Sequence, residues 1–165
     1  MQPQKMHEMV KPLQWLMGTW KSISAKVMYP TMKTVDFEEK LCFLSAGQPL
    51  LNYSSTTWNP KDKAPMHLEY GYLRIDEEGC LVALLTAMNF GISTVEEGTL
   101  QEKSLTTNSK SIAHTKFAKM PVVALQRCYC LNDKCQLSYT LKMQTERTPL
   151  STHLECLYEK EEEKS

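Results

Sequence analysis

A chain of 165 residues with 19 basic and 19 acidic side chains is long enough to bury an ordinary core in one domain, 1–165, and has no net charge to draw in nucleic-acid backbones or anionic membranes. The opening MQPQKMHEMV lacks an uninterrupted apolar core behind a basic start, and no apolar run is long enough to cross a bilayer as a helix. The expectation is a soluble, cytoplasmic protein with no nucleic-acid or membrane partner, whose six cysteines stay reduced.

In chain order, KPLQWLMGTW predicts a short helical turn, with Pro12 near its start and Gly18 at its end, that covers one end of the fold and leads into a first strand. Strand-like segments then recur: VDFEEKLCFL, PLLNYSSTTW, MHLEYGYLRI, CLVALLTA, ISTVEEGTL, SLTTNSKSIA, VVALQRCYCL, CQLSYTLKMQT and HLECLYEK. Turn chemistry separates them, in SAGQ, NPKDKAP, DEEG, MNFG, AKMP, LNDK and ERTP. About ten short antiparallel strands with no long helical period predict an all-β fold, a closed barrel or a sandwich, because both manage exposed sheet edges.

One strand shows its phase clearly. Cys135, Leu137, Tyr139, Leu141 and Met143 alternate with polar residues and are expected to face inward. With ten methionines in the chain, Met66 among them, the interior is either adaptable enough for a bulky apolar ligand or simply a dry core filled by flexible side chains. The acids of FEEK, DEEG and VEEG read as exposed solubility groups. CYCLNDKC places Cys130 and Cys135 across a short hairpin loop, a pair that could join only under oxidation. The single residue between Cys128 and Cys130 argues against zinc.

No phosphate loop, nucleophile elbow, zinc-protease helix or dinucleotide fingerprint occurs, which disfavours hydrolase and nucleotide chemistry. Of four histidines, His7 and His114 read as surface groups, whereas His67 and His153 each begin a strand after a proline turn. In a barrel, both could lie at its mouth. A lone histidine in such a place is more often structural than a ligand.

The ordered set LQWLMGTW, YPT, PMHLEYGYLR, VEEG, AKMP with an arginine six residues beyond its proline, and PLSTHL resembles the nitrobindin family from Leu13 to Lys160. That resemblance implies a ten-stranded antiparallel β-barrel, similar in shape to fatty-acid-binding proteins, that holds haem b. It implies that His153, in PLSTHL, is the proximal iron ligand, that Thr31 of YPT contacts haem, and that Met66 and His67 line the pocket. Met143 falls ten residues before the ligand, as in the family. The implied activity is nitric oxide binding and isomerisation of peroxynitrite to nitrate at ferric haem. Many members carry a glycine-rich run where this chain has Ser22, Ser24 and Lys26, so added side chains there could narrow the cavity. A second difficulty is phase: Leu150, Leu154, Cys156 and Tyr158 form the apolar set of the last strand, which turns His153 outward unless a bulge lies near Ser151 to His153. The competing function is a non-catalytic carrier of a fatty acid or similar apolar ligand, which an internal arginine cluster for a carboxylate would favour. Arg74, Arg127 and Arg147 are the arginines available, and Arg127, in phase with Tyr129, is left facing either way.

Overall fold

The computed structural model describes residues 5–30, 32–119 and 121–162. A short 3-10 helix (Glu8–Leu13) precedes eleven strands: β1 (Gly18–Tyr29), β2 (Met32–Asp36), β3 (Glu38–Ser45), β4 (Leu50–Trp58), β5 (Pro65–Ile75), β6 (Leu81–Met88), β7 (Ile92–Gln101), β8 (Ser104–His114), β9 (Val122–Leu131), β10 (Leu137–Thr145) and β11 (Thr148–Lys160). Apart from β2 and β3, consecutive strands pair antiparallel, and β11 returns to pair with β1. The early part of β1 pairs with β3 and its far part with β2. β2 and β3 therefore lie end to end along one neighbour, broken at Phe37, and the closed ring has ten staves. The expected all-β barrel is the fold observed.

Strand order places the helix and the β3–β4, β5–β6, β7–β8 and β9–β10 turns at one end. The remaining connections ring the other end, the mouth. Val10, Leu13 and Leu16 are fully buried where the N-terminal segment closes the first end, and the Trp20 indole N–H donates to the Leu16 carbonyl at 2.8 Å. His7, expected to be a simple surface group, instead caps this helix: its Nδ1 accepts from the Met9 amide at 3.2 Å. Toward the mouth, β8 and β9 part. Their ladder covers Ser104–Asn108 against Gln126–Cys130, and beyond it the Leu125 amide donates to the Ser109 hydroxyl at 2.9 Å.

Alternation decides what the barrel encloses. Rows such as Leu51–Tyr53–Ser55–Thr57 and Leu137–Tyr139–Leu141 point inward, while Tyr70, Tyr72 and Leu81 point to solvent. The inward row of β10 starts at Leu137. Cys135, expected to belong to it, sits exposed in the turn with φ +59°. Cys130 pairs with Ser138 across the hairpin, so Cys135 is not its cross-strand neighbour, and all six cysteines are free.

Candidate functional site at the barrel mouth

His153 owes its position to a break in the ladder. Leu154 pairs with Leu141, but the next pair toward the mouth is Thr152 with Lys142, which leaves His153 as the extra residue of a β-bulge on β11. The bulge resets the alternation. Leu150, grouped by a regular strand with the apolar set, is 43% exposed beyond it. His153 is half-buried, and its Nδ1 lies 3.0 Å from the Met28 carbonyl on β1. A carbonyl can only accept, so Nδ1 carries the hydrogen and Nε2 the lone pair. Burial pushes the imidazole pKa below its ordinary value, the Met28 hydrogen bond opposes this, and nearby His67 adds a smaller lowering. The ring is therefore neutral at neutral pH. Register sets Val27 and Leu141 beside Leu154, the residue next to His153 in the chain, and Leu125 beside Met143 one strand on.

His67 belongs to the inward row of β5 that continues through Glu69, Leu73 and Ile75. Its amide donates to the Thr57 hydroxyl at 2.8 Å, and Asn89 in the β6–β7 turn holds Leu68 and Met66 by their backbone at 3.0 and 3.1 Å. The ring packs on Phe90 with centroids 5.1 Å apart, and Nε2 lies 3.4 Å from Glu69 Oε2. Met66 and Met143 are half-buried against the core edge. Thr31 lies outside the described residues. Ser24 and Lys26 are exposed, and Ala25 and Val27 are the buried residues of that stretch. The expected narrowing therefore does not arise from Ser24 and Lys26, whereas Ser22 is half-buried and its hydroxyl accepts from the Glu39 amide at 2.8 Å.

Beneath the mouth lies a buried polar network that the sequence reading did not anticipate. Arg127, 1% exposed, donates through Nε to Glu96 at 2.9 and 3.1 Å and through its two terminal nitrogens to Glu69 at 2.7 and 3.2 Å. It also reaches the hydroxyls of Tyr139 and Tyr53 at 3.2 and 3.4 Å. Thr94 and Thr107 donate to the Glu96 carboxylate at 2.9 and 2.8 Å. Burial alone would raise the Glu69 pKa, but Arg127 and His67 outweigh it and hold the carboxyl down at about 2. Glu39 has no such cation. Ser55 and Tyr158 donate to it at 2.6 and 2.7 Å, yet burial prevails and raises its pKa. Of the acids in FEEK and VEEG, Glu38 and Glu97 lie at the surface as expected, but Glu39 and Glu96 are buried because they share the inward phase of Leu41 and Thr94. That phase was the signal available.

Among the described residues, hollows include a smaller one on the mouth side, by the β6–β7 turn and the end of β8, and a larger one on the outer face. One, of about 320 Å³, is lined by Met88, Gly91, Ile92, Ser93, Ala113, His114 and Thr115; the other, of about 610 Å³, lies over Leu50, Tyr72, Arg74 and Leu85. Neither is lined by His153 or His67. The site is defined by converging side chains at the mouth, not by these hollows. No cluster of three or more metal-ligating side chains occurs among the described residues. A single neutral imidazole with a fixed tautomer in an apolar surround nonetheless fits the demands of a haem, which brings four nitrogens of its own and needs one axial donor from the protein. The described residues contain no helix long and apolar enough to cross a membrane.

The profile of the THAP4-like, heme-binding beta-barrel domain matches residues 9–160. The chain is 37% identical over 161 residues to Homo sapiens peroxynitrite isomerase THAP4, covering 96% of this chain but 28% of that protein. An Arabidopsis thaliana relative, named peroxynitrite isomerase Rv2717c, is 31% identical over 156 residues, covering 93% of this chain and 90% of its own length. The crystal structure of Rv2717c from M. tuberculosis superposes with a TM-score of 0.85 at 29% identity, covering 95% of this chain and 99% of that one. The chain thus spans little more than a quarter of the mammalian relative and nearly all of the plant one. Since the profile runs from the closing helix to the last strand and the plant relative matches over nearly its whole length, the chain belongs to the THAP4-like, heme-binding beta-barrel family.

Proposed function

We propose that residues 1–165 act as one nitrobindin-like domain that binds haem b through His153, takes up nitric oxide, and isomerises peroxynitrite to nitrate in the ferric state. The observation that carries this reading is the bulge at His153, which turns an imidazole of fixed tautomer into an apolar mouth. Relatives across nearly the full chain are named peroxynitrite isomerases.

When bound, haem supplies a Lewis-acidic, redox-competent iron that weakens the O–O bond of peroxynitrite. His153 would hold that iron by Nε2 while the Met28 carbonyl fixes the ring. Met66, His67 and Met143 would border the ring system, and Thr31 would contact it. The apolar wall of Val27, Leu141 and Leu154 excludes water, and confinement keeps the two parts of the substrate together until the new N–O bond forms. Peroxynitrite and nitrate have the same atoms and electrons, so no second substrate is needed. A cytoplasmic location is supported by the six free cysteines.

A buried cation free to take the carboxylate would favour the fatty-acid carrier. Arg127 faces inward, but Glu96 and Glu69 already occupy its donors. Haem titration followed by absorbance, with a fluorescent fatty acid as competitor, tests the choice. A saturating Soret band at one haem per chain supports the proposal. Fatty-acid binding without a Soret band would replace it.

A further inference from the structure

Glu69 ties the mouth to the centre of the barrel. Its Oε1 and Oε2 are gripped by the Arg127 guanidinium at 2.7 and 3.2 Å, and Oε2 also lies 3.4 Å from His67 Nε2. Arg127 in turn is anchored on Glu96. A carboxylate paired with a guanidinium is an acceptor only, so Nε2 of His67 carries the hydrogen and, in the neutral ring, Nδ1 carries the lone pair. No hydrogen-bond partner of Nδ1 occurs among the described residues. Ring and backbone are held by Phe90 and Thr57. The two mouth histidines thus adopt opposite tautomers, since His153 places its hydrogen on Nδ1.

We propose that His67 is the hydrogen acceptor at the mouth, that Glu69 and Arg127 are positioning residues holding it in the Nε2–H tautomer, and that this acceptor makes the site favour protic ligands over aprotic ones. The ligand preference rests on the haem reading above; the tautomer does not. A protic ligand such as hydrogen cyanide would give its proton to Nδ1 as the H–C bond breaks, the electron pair staying on the carbon of the cyanide that a bound haem would hold. Carbon monoxide, with no proton to give, gains nothing from the acceptor.

Two measurements test this. Nitrogen-15 NMR of the haem-free full chain reads the His67 tautomer directly, and needs no variant. The Nε2–H form is expected, with Glu69→Gln shifting it toward a mixture because an amide can donate as well as accept. An Nδ1–H form in the wild type overturns the proposal. In the haem-loaded chain, His67→Ala at the half-exposed mouth should slow cyanide association by roughly tenfold or more, the scale of a positioned base, while carbon monoxide association to the ferrous form changes less than about threefold. Cyanide rates that stay within about twofold overturn the ligand preference. If the chain takes up no haem while His67 shows the Nε2–H tautomer, the haem reading and the ligand preference fall together and the positioning role of Glu69 stands.

Discussion

Arg127 shows how much one side chain can decide. Replacing it with methionine, Arg127→Met, keeps most of the volume but leaves Glu69 and Glu96 buried without a cation. A loss of about 3–5 kcal/mol in urea denaturation is expected, the scale of a broken buried pair; a loss below about 1 kcal/mol would show that the network relaxes without it. The two classes of buried acid also predict opposite pH behaviour. Glu69 titrates lower in the fold, at about 2, than in the unfolded chain, so its contribution is complete above the ordinary carboxylate range and fades as pH falls from about 5 toward 2. Glu39 titrates higher in the fold, so its contribution is complete at low pH and fades as pH rises through its raised value. Glu69→Gln should therefore flatten the acid limb of the stability curve and Glu39→Gln the other. Unchanged limbs in chemical denaturation across pH would contradict both assignments.

At the scale of the element, the bulge in β11 matters as much as the histidine it carries. Deleting Thr152 would restore a regular ladder, keep the imidazole in the chain and turn it outward beside Lys142. The expected outcome is a folded barrel that has lost the histidine-ligated haem spectrum; retention of that spectrum would show that orientation does not depend on the bulge. Strand contacts also explain two glycines. A Cβ on Gly98 would lie 1.7 Å from the Thr106 carbonyl oxygen, and one on Gly71 1.8 Å from that of Leu85. Gly98→Ala should cost about 3 kcal/mol, because backbone and not a flexible side chain stands in the way. An equal midpoint in urea would refute the close approach.

For the whole molecule, most strands were legible because turn residues and period-two alternation mark them locally: the segments MHLEYGYLRI and VVALQRCYCL coincide with β5 and β9 to within a residue. The bulge was legible only as a conflict between the apolar row of β11 and the place of His153, since its cause is a register set by β10. The polar network was not read, although Glu69, Glu96 and Arg127 lie in phase with Leu73, Thr94 and Tyr129. Phase puts a charge inside, but its partners are 31 and 58 residues away in the chain, and closure of the barrel is what brings them together. That closure also lets a barrel with a charged centre keep an apolar mouth, where His153 stands.

The most direct test of the account is therefore a haem titration of wild type, His153→Ala and His67→Ala, followed by absorption and resonance Raman spectra. The account predicts a five-coordinate histidine-ligated spectrum in wild type, its loss in His153→Ala even where haem still enters the mouth, and its retention in His67→Ala. Loss of that spectrum in His67→Ala with retention in His153→Ala would reverse the axial assignment and contradict the account.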